Sequence, residues 1–167
     1  NLGTEVIQLI RGDRLLKGFD EDLSKCLENS RISSGLNLIC RDQLDSIEKI
    51  KGNLVSKFSS GNKLVTENVL MAIGRKPALE TLNLDFLNLK MDGPYLEVNE
   101  LNQTSNANIF AIGDITNRPN LTPVAIEQGR VFADNFFGGI KRKVNYENIP
   151  KAVFTIPEIA TVGLSEE

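Results

Sequence analysis

The sequence predicts an α/β fold, and three features predict it. An apolar, partly β-branched run, Glu5-Val-Ile-Gln-Leu-Ile10, precedes a helical pattern and a second apolar run, Leu36-Asn-Leu-Ile-Cys40. Strand, helix and strand in so short a stretch form a βαβ unit, and that crossover implies parallel strands. Three alternating segments follow, at residues 44–51, 54–58 and 63–67, punctuated by Gly52-Asn53 and Ser59-Ser-Gly-Asn62. Alternation broken by turn residues predicts a small antiparallel meander. Third, Ile109–Ile112 runs into Gly113-Asp114 and, past a polar loop, into a helical stretch over 122–137.

Each element has its own local cause. The first strand ends at the turn Arg11-Gly12-Asp13. Asp20 is a good N-cap, because a short carboxylate can accept from a free first-turn N–H. Leu23, Cys26 and Leu27 then recur at helical spacing, which puts Cys26 on the apolar side. Gly35, after Ser33-Ser34, is a natural helix stop. Val69-Leu-Met-Ala-Ile73 is a continuous apolar run and reads as a strand buried on both faces, ended by Gly74-Arg75-Lys76-Pro77. Residues 78–106 are polar and turn-rich, with one short strand at Tyr95–Val98; Ile109–Ile112 reads as a second buried strand. In the helix over 122–137, Pro123 suits the first turn. Val124, Ile126, Val131, Phe132 and Phe136 can line one broad face, and Gly138-Gly139 stops it. Val153–Ile156 begins a strand that Pro157 breaks and Thr161–Leu164 continues. Ser165-Glu-Glu167 reads as the first turn of a further helix. The opening Asn-Leu-Gly-Thr has no initiator Met and no signal-peptide pattern, so both ends read as cut from a longer protein.

Composition narrows the function classes. Hydrophobic content of 41% with a net charge of -3 supports a real core and argues against a general nucleic-acid binder or attraction to anionic membranes. No apolar run reaches transmembrane length. Cys26 and Cys40 match neither a redox pair nor a metal cluster and are expected to be buried free thiols. Low cysteine usage suits a reducing compartment, hence a cytoplasmic protein. There is no His, the commonest general acid–base and metal ligand. No catalytic residue and no metal ligand is assigned.

What the chain does carry is binding chemistry. Asp114 is a lone acceptor after a strand and a glycine, suited to a sugar or ribitol hydroxyl. A few residues on, a helix begins at Leu121-Thr122-Pro123, where free N–H groups and the helix dipole favour negative charge. At the end of the first strand, Arg11 and Lys17 stand where a dinucleotide fold meets the adenosine ribose. Basic residues there accommodate the 2′-phosphate of NADP, whereas a carboxylate would bind the 2′-hydroxyl of NAD. Lys17 offers a point charge rather than a planar fork. Arg14 reads as part of a solvated basic turn. Gly74 would let backbone approach a cofactor closely.

These segments together resemble the pyridine nucleotide–disulfide oxidoreductase family, within it the glutathione reductase branch. Asn108-Ile-Phe-Ala-Ile-Gly-Asp114 and Asn120-Leu-Thr-Pro-Val-Ala-Ile-Glu-Gln-Gly-Arg130 resemble its second flavin-binding motif. Ala72-Ile-Gly-Arg-Lys-Pro77 resembles its Ala-Thr-Gly-Arg-x-Pro-Asn segment, with Ile73 and Ala78 departing. Residues Asn148 to Gly163 resemble the opening of its interface domain. The Leu-Thr-Pro-Val-Ala piece is shared by glutathione, trypanothione and large thioredoxin reductases and differs in lipoamide dehydrogenases and mercuric reductases.

The resemblance implies FAD and NADPH as cofactors, glutathione disulfide as the substrate of the parent enzyme, and a homodimer. It implies that Asp114 holds the flavin ribitol, that Leu121 and Thr122 face the N1–O2 edge of the ring, and that Gly74 and Arg75 lie beside a cofactor. Arg11 and Lys17 would meet the NADPH 2′-phosphate, although Gly12 replaces a position often basic or aromatic in relatives. Backbone at Asn120 and Ala152 would flank the nicotinamide carboxamide. Residues 1–76 would be the C-terminal part of the NADPH-binding domain, 77–147 the return segment of the FAD-binding domain, and 148–167 the start of the interface domain. The redox-active cysteine pair, the Gly-rich loops and the His-Glu pair of the family do not occur in this chain, which alone is expected to be inactive. A trypanothione or thioredoxin reductase, or a non-catalytic nucleotide-binding module of the same fold, are the alternatives.

Overall fold

A parallel strand pair opens the fold, as the βαβ pattern requires. In the computed structural model, which describes residues 3–166, β1 (Ile7–Leu9) pairs in parallel with β2 (Asn37–Ile39), Ile7 opposite Asn37 and Leu9 opposite Ile39. Between them runs α1 (Glu21–Ser33). Asp20 caps it by accepting the Asp22 N–H at 2.9 Å, with Glu21 and Asp22 in the first turn and Arg31 in the last, the charge order that complements a helix dipole. Gly35 takes a left-handed φ of +91° after the last turn, and its N–H donates to the Ile32 carbonyl. The buried face of α1 passes through Ser24 and Leu27. One residue step rotates a helix by roughly 100°, and that turns Cys26 to solvent rather than into the core. Both cysteines are free thiols, but Cys26 is exposed and Cys40 half-buried.

The meander follows the sequence pattern closely. β3 (Leu44–Ile50), β4 (Asn53–Phe58) and β5 (Lys63–Thr66) form an antiparallel sheet in the order β3-β4-β5. The first hairpin turns at Lys51 and Gly52, both with positive φ (50° and 93°), the twist that two-residue hairpins prefer. Ser56 and Phe58 on β4 point to the buried side, two residues apart as strand periodicity demands.

Val69–Ile73 is the first departure. It forms no strand, and Leu70 is 91% exposed and Ile73 79%. An extended run becomes a strand only by pairing its N–H and C=O groups, and no partner strand lies beside it among the described residues. Ile109–Ile112 is likewise extended but unladdered. Phe110 makes a single bridge to Gln103; Ala111 is buried and Ile112 is partly exposed. The polar stretch before it hides an unforeseen strand: β6 (Met91–Asp92) pairs with β7 (Tyr95–Leu96), which is shorter than the segment expected there.

α2 (Thr122–Phe136) carries its buried face on Val124, Gln128 and Val131. Ile126 is half-exposed, because two steps from Val124 turn it to the far side. Phe110 packs edge-on against Phe132 and Phe136, with ring centroids 5.1 and 4.6 Å apart. β8 (Lys151–Val153) and β9 (Ile159–Thr161) pair antiparallel, Val153 opposite Ile159, so the chain reverses at Pro157 instead of continuing one strand. Of the helix turn expected at 165–167, Ser165 and Glu166 are irregular, and Glu167, like Asn1 and Leu2, lies outside the described residues. By internal contacts the chain divides into two units, Asn1–Ala72 with Pro150–Glu167, and Ile73–Ile149. Among the described residues no helix is long and apolar enough to cross a membrane, and no cluster of His, Cys, Asp and Glu could hold a metal ion.

Candidate functional site

The second unit builds a closely hydrogen-bonded turn around Gly113. Ile112 arrives extended and the chain tightens into a 3-10 turn, Gly113–Ile115. Gly113 has φ +74°, which side-chain-bearing residues avoid, and a Cβ there would meet Ala125 Cβ at 3.5 Å. Its peptide groups are held on both sides by buried side chains. The Gly113 N–H donates to Gln128 Oε1 at 2.7 Å, while its carbonyl accepts from Thr116 N–H at 3.1 Å and Thr116 Oγ1 at 2.9 Å. Gln128 and Thr116 are both 0% exposed. The approach to the turn is also pinned, since the Ala111 N–H donates to the Asn102 carbonyl and Thr104 pairs with Ile109. The next side chain, Asp114, is exposed and has no hydrogen bond or ion pair among the described residues. A fixed backbone therefore presents an unused carboxylate to solvent.

The start of α2 packs against this turn. Leu121 is its N-cap, in extended conformation and with no side-chain cap. The Leu121 N–H donates to Pro119, the Val124 and Ala125 N–H groups donate to Leu121, and Pro123 has no N–H. Thr122 N–H is thus the first-turn donor left without a partner among the described residues. Thr122 and Asn120 are exposed and Leu121 is half-buried. An acceptor for a hydroxyl and a donor for an anion stand on adjacent elements.

Of the other anticipated residues, Arg11 and Lys17 are exposed in the loop after β1, where the Lys17 backbone bridges to Phe19, and their side chains bond to nothing among the described residues. Arg14 instead pairs with Glu21 at 3.5 Å, in keeping with a solvated basic turn. The loop is tied to α1 by the Leu15 N–H, which donates to Glu28 Oε1 at 2.6 Å. Gly74, at φ +124°, and Arg75 are exposed and lie outside regular structure, with no bond to the Asp114 turn. Ala152 lies exposed in β8, opposite Ala160. Arg11, Lys17 and Ala152 belong to one unit; Gly74, Arg75, Asp114, Asn120, Leu121 and Thr122 belong to the other.

Sequence reasoning missed Gln128, Thr116 and Tyr146. Gln128 had a readable signal, for it is a polar residue four after Val124 and three before Val131, in the apolar stripe. Its Nε2 donates to the Tyr146 hydroxyl at 2.9 Å, and the Arg118 guanidinium lies 4.9 Å from the centre of the Tyr146 ring.

Residues 1–129 match the family model described as pyridine nucleotide-disulphide oxidoreductase. The chain belongs to this family. It is 39% identical over 99% of its length to a glutathione reductase from Nostoc sp., spanning 39% of that protein. It is 42% identical over its whole length to a mercuric reductase from Staphylococcus aureus, spanning 31% of it. A trypanothione reductase from Trypanosoma congolense is 36% identical over 99% of the chain, which spans 34% of that relative. Among solved structures, LpdA from Mycobacterium tuberculosis superposes with a TM-score of 0.91 at 28% identity, over 99% of this chain and 36% of that one. The HOCl-induced flavoprotein disulfide reductase RclA from Escherichia coli shares the fold at the same TM-score, 0.91, and 23% identity, over 98% of this chain and 38% of that one. The α/β class expected from the sequence is the class observed. The chain spans well under half the length of each of these relatives.

Proposed function

We propose that this chain is part of an FAD- and NADPH-dependent disulfide reductase that acts on glutathione disulfide. One observation carries the reading: Asp114 is held on a backbone locked by Gln128 and Thr116 and neighbours the Thr122 N–H, and neither group has a partner among the described residues. Those groups fit a flavin. Asp114 would accept from a ribitol hydroxyl, and the Thr122 end of α2, with Leu121, would stabilise charge on the ring edge. Gly74 and Arg75 would lie beside a cofactor. Arg11 and Lys17 fit a 2′-phosphate, being cationic, exposed and unpaired among the described residues. Asn120 and Ala152 would offer backbone to the nicotinamide amide. Bound together, the two cofactors would supply hydride transfer from nicotinamide to flavin and electrons for a disulfide.

The same reading assigns residues 1–76 to an NADPH-binding domain, 77–147 to the FAD-binding domain and 148–167 to an interface domain. It makes the full-length protein a homodimer; light scattering would show it, and a stable, fully active monomer would contradict it. Free thiols at Cys26 and Cys40 suit the cytoplasm.

Glutathione disulfide is favoured by the glutathione reductases at 39% and 40% identity, together with the Leu121-Thr122-Pro123 helix start. The mercuric reductase at 42% identity supports mercuric ion as a second reading. NADPH oxidation by the full-length protein separates them, with glutathione disulfide, trypanothione disulfide and mercuric ion offered in turn. Glutathione disulfide is expected to give the fastest turnover. Turnover of either other acceptor with none of glutathione disulfide would overturn the assignment.

A further inference from the structure

We propose that Gln128 is a positioning residue for the flavin anchor, and that it links the Asp114 turn to the segment around Tyr146. The inference rests on the flavin reading of Asp114 but adds a residue and a mechanism to it. Gln128 is fully buried on the core stripe of α2, where an aliphatic side chain would serve packing equally well. Both ends of its amide are committed. Oε1 accepts from Gly113 N–H at 2.7 Å, and Nε2 donates to the Tyr146 hydroxyl at 2.9 Å. The bond to Gly113 falls one residue before Asp114, so the direction of the carboxylate follows from the orientation of a peptide that Gln128 fixes. Tyr146 is itself held: its ring carries the Arg118 guanidinium. The chain leading to it is clasped to α2 through Arg142. The Arg142 guanidinium bonds Asp134 and Glu127, while its backbone N–H and carbonyl both pair with the Asn135 side chain. The Asp134 bond, then the Glu127 bond, raises the Arg142 pKa above its ordinary value, so its guanidinium keeps its charge.

A buried amide that served only to satisfy itself would leave the anchor alone. One that positions the anchor must alter the Gly113 peptide and flavin binding together. In the full-length flavoprotein, Gln128→Leu is expected to weaken FAD binding about tenfold, the scale of one lost hydrogen bond plus the donor it strands. Hydrogen exchange at the Gly113 amide should accelerate while the amides of Val124–Phe136 stay protected. Tyr146→Phe should act in the same direction, more weakly. Gln128→Glu should restore slow exchange and FAD affinity, because its carboxyl can accept from both Gly113 N–H and the Tyr146 hydroxyl. If Gln128→Leu fails to fold, Tyr146→Phe and Gln128→Glu carry the same test, since each retains the buried volume. Wild-type exchange at Gly113 in Gln128→Leu or in Tyr146→Phe would overturn the proposal. So would faster exchange with unchanged FAD affinity in a protein that Asp114→Ala strips of FAD. If instead Asp114→Ala leaves FAD bound, the flavin reading fails, and exchange at Gly113 still decides whether Gln128 fixes the turn.

Discussion

Replacing Asp114 with alanine is expected to strip most of the FAD from the full-length protein. The side chain is exposed and bonds to nothing among the described residues, so its loss would remove the proposed ligand contact without disturbing the fold. The turn that carries it keeps its shape, because Gln128 and Thr116 bond to Gly113 and not to the carboxylate. A hydrogen bond to a charged acceptor contributes roughly 1.5–3 kcal/mol, which is about a 10- to 150-fold change in FAD dissociation constant. The check is flavin absorbance per protein after exhaustive dialysis, followed by titration of the apoprotein with FAD. Undiminished flavin content would remove Asp114 from the site. Asp114→Asn should fall between, since it keeps an acceptor oxygen but loses the charge.

The second large effect is expected at Arg11. In Arg11→Ala, the KM for NADPH should rise by roughly 10-fold or more, from the loss of one charge-assisted contact to a phosphate. NADH should be used as before, because it has no 2′-phosphate. Lys17→Ala should act in the same direction but less, a mobile ammonium giving a looser grip than a guanidinium. Arg14→Ala serves as the comparison: its charge is already engaged by Glu21, and cofactor preference should not move. Both residues are exposed, so the discrimination should shrink as salt rises. A parent protein that uses NADH and NADPH equally well would contradict the assignment.

The parts of this fold that were legible are those with local causes. Asp20 starts α1 because its carboxylate reaches the Asp22 N–H, and Pro123 opens α2 because a first turn needs no N–H there. The β3-β4-β5 meander follows from alternation and from Gly52. What sequence pattern could not show depends on tertiary partners. The apolar run 69–73 announces a strand, yet a strand forms only against a neighbour, and none is found beside it among the described residues. Ile126 and Cys26 are apolar enough for a core, but rotation about the helix axis puts each to solvent. The sequence of the β8–β9 hairpin reads as one broken strand, because Pro157 marks an interruption without giving the direction in which the chain resumes.

The site divides along the same line. Asp114 and the Thr122 helix start are readable, since their chemistry lies in the residue types themselves. The side chains that hold the Asp114 turn are not. Thr116 and Tyr146 are ordinary residues whose importance comes from what they touch, and Gln128 showed only as a polar interruption of an apolar stripe. This is the usual asymmetry between a residue that meets a ligand and one that fixes it.

As proposed, this chain helps to form a flavin site fed by NADPH and drained by glutathione disulfide. An anaerobic titration of the full-length protein, followed by flavin absorbance, tests it most directly. The protein is expected to purify yellow, NADPH to bleach the oxidised flavin band, and added glutathione disulfide to restore it. A protein that carries no flavin, or whose flavin NADPH leaves oxidised, would contradict it.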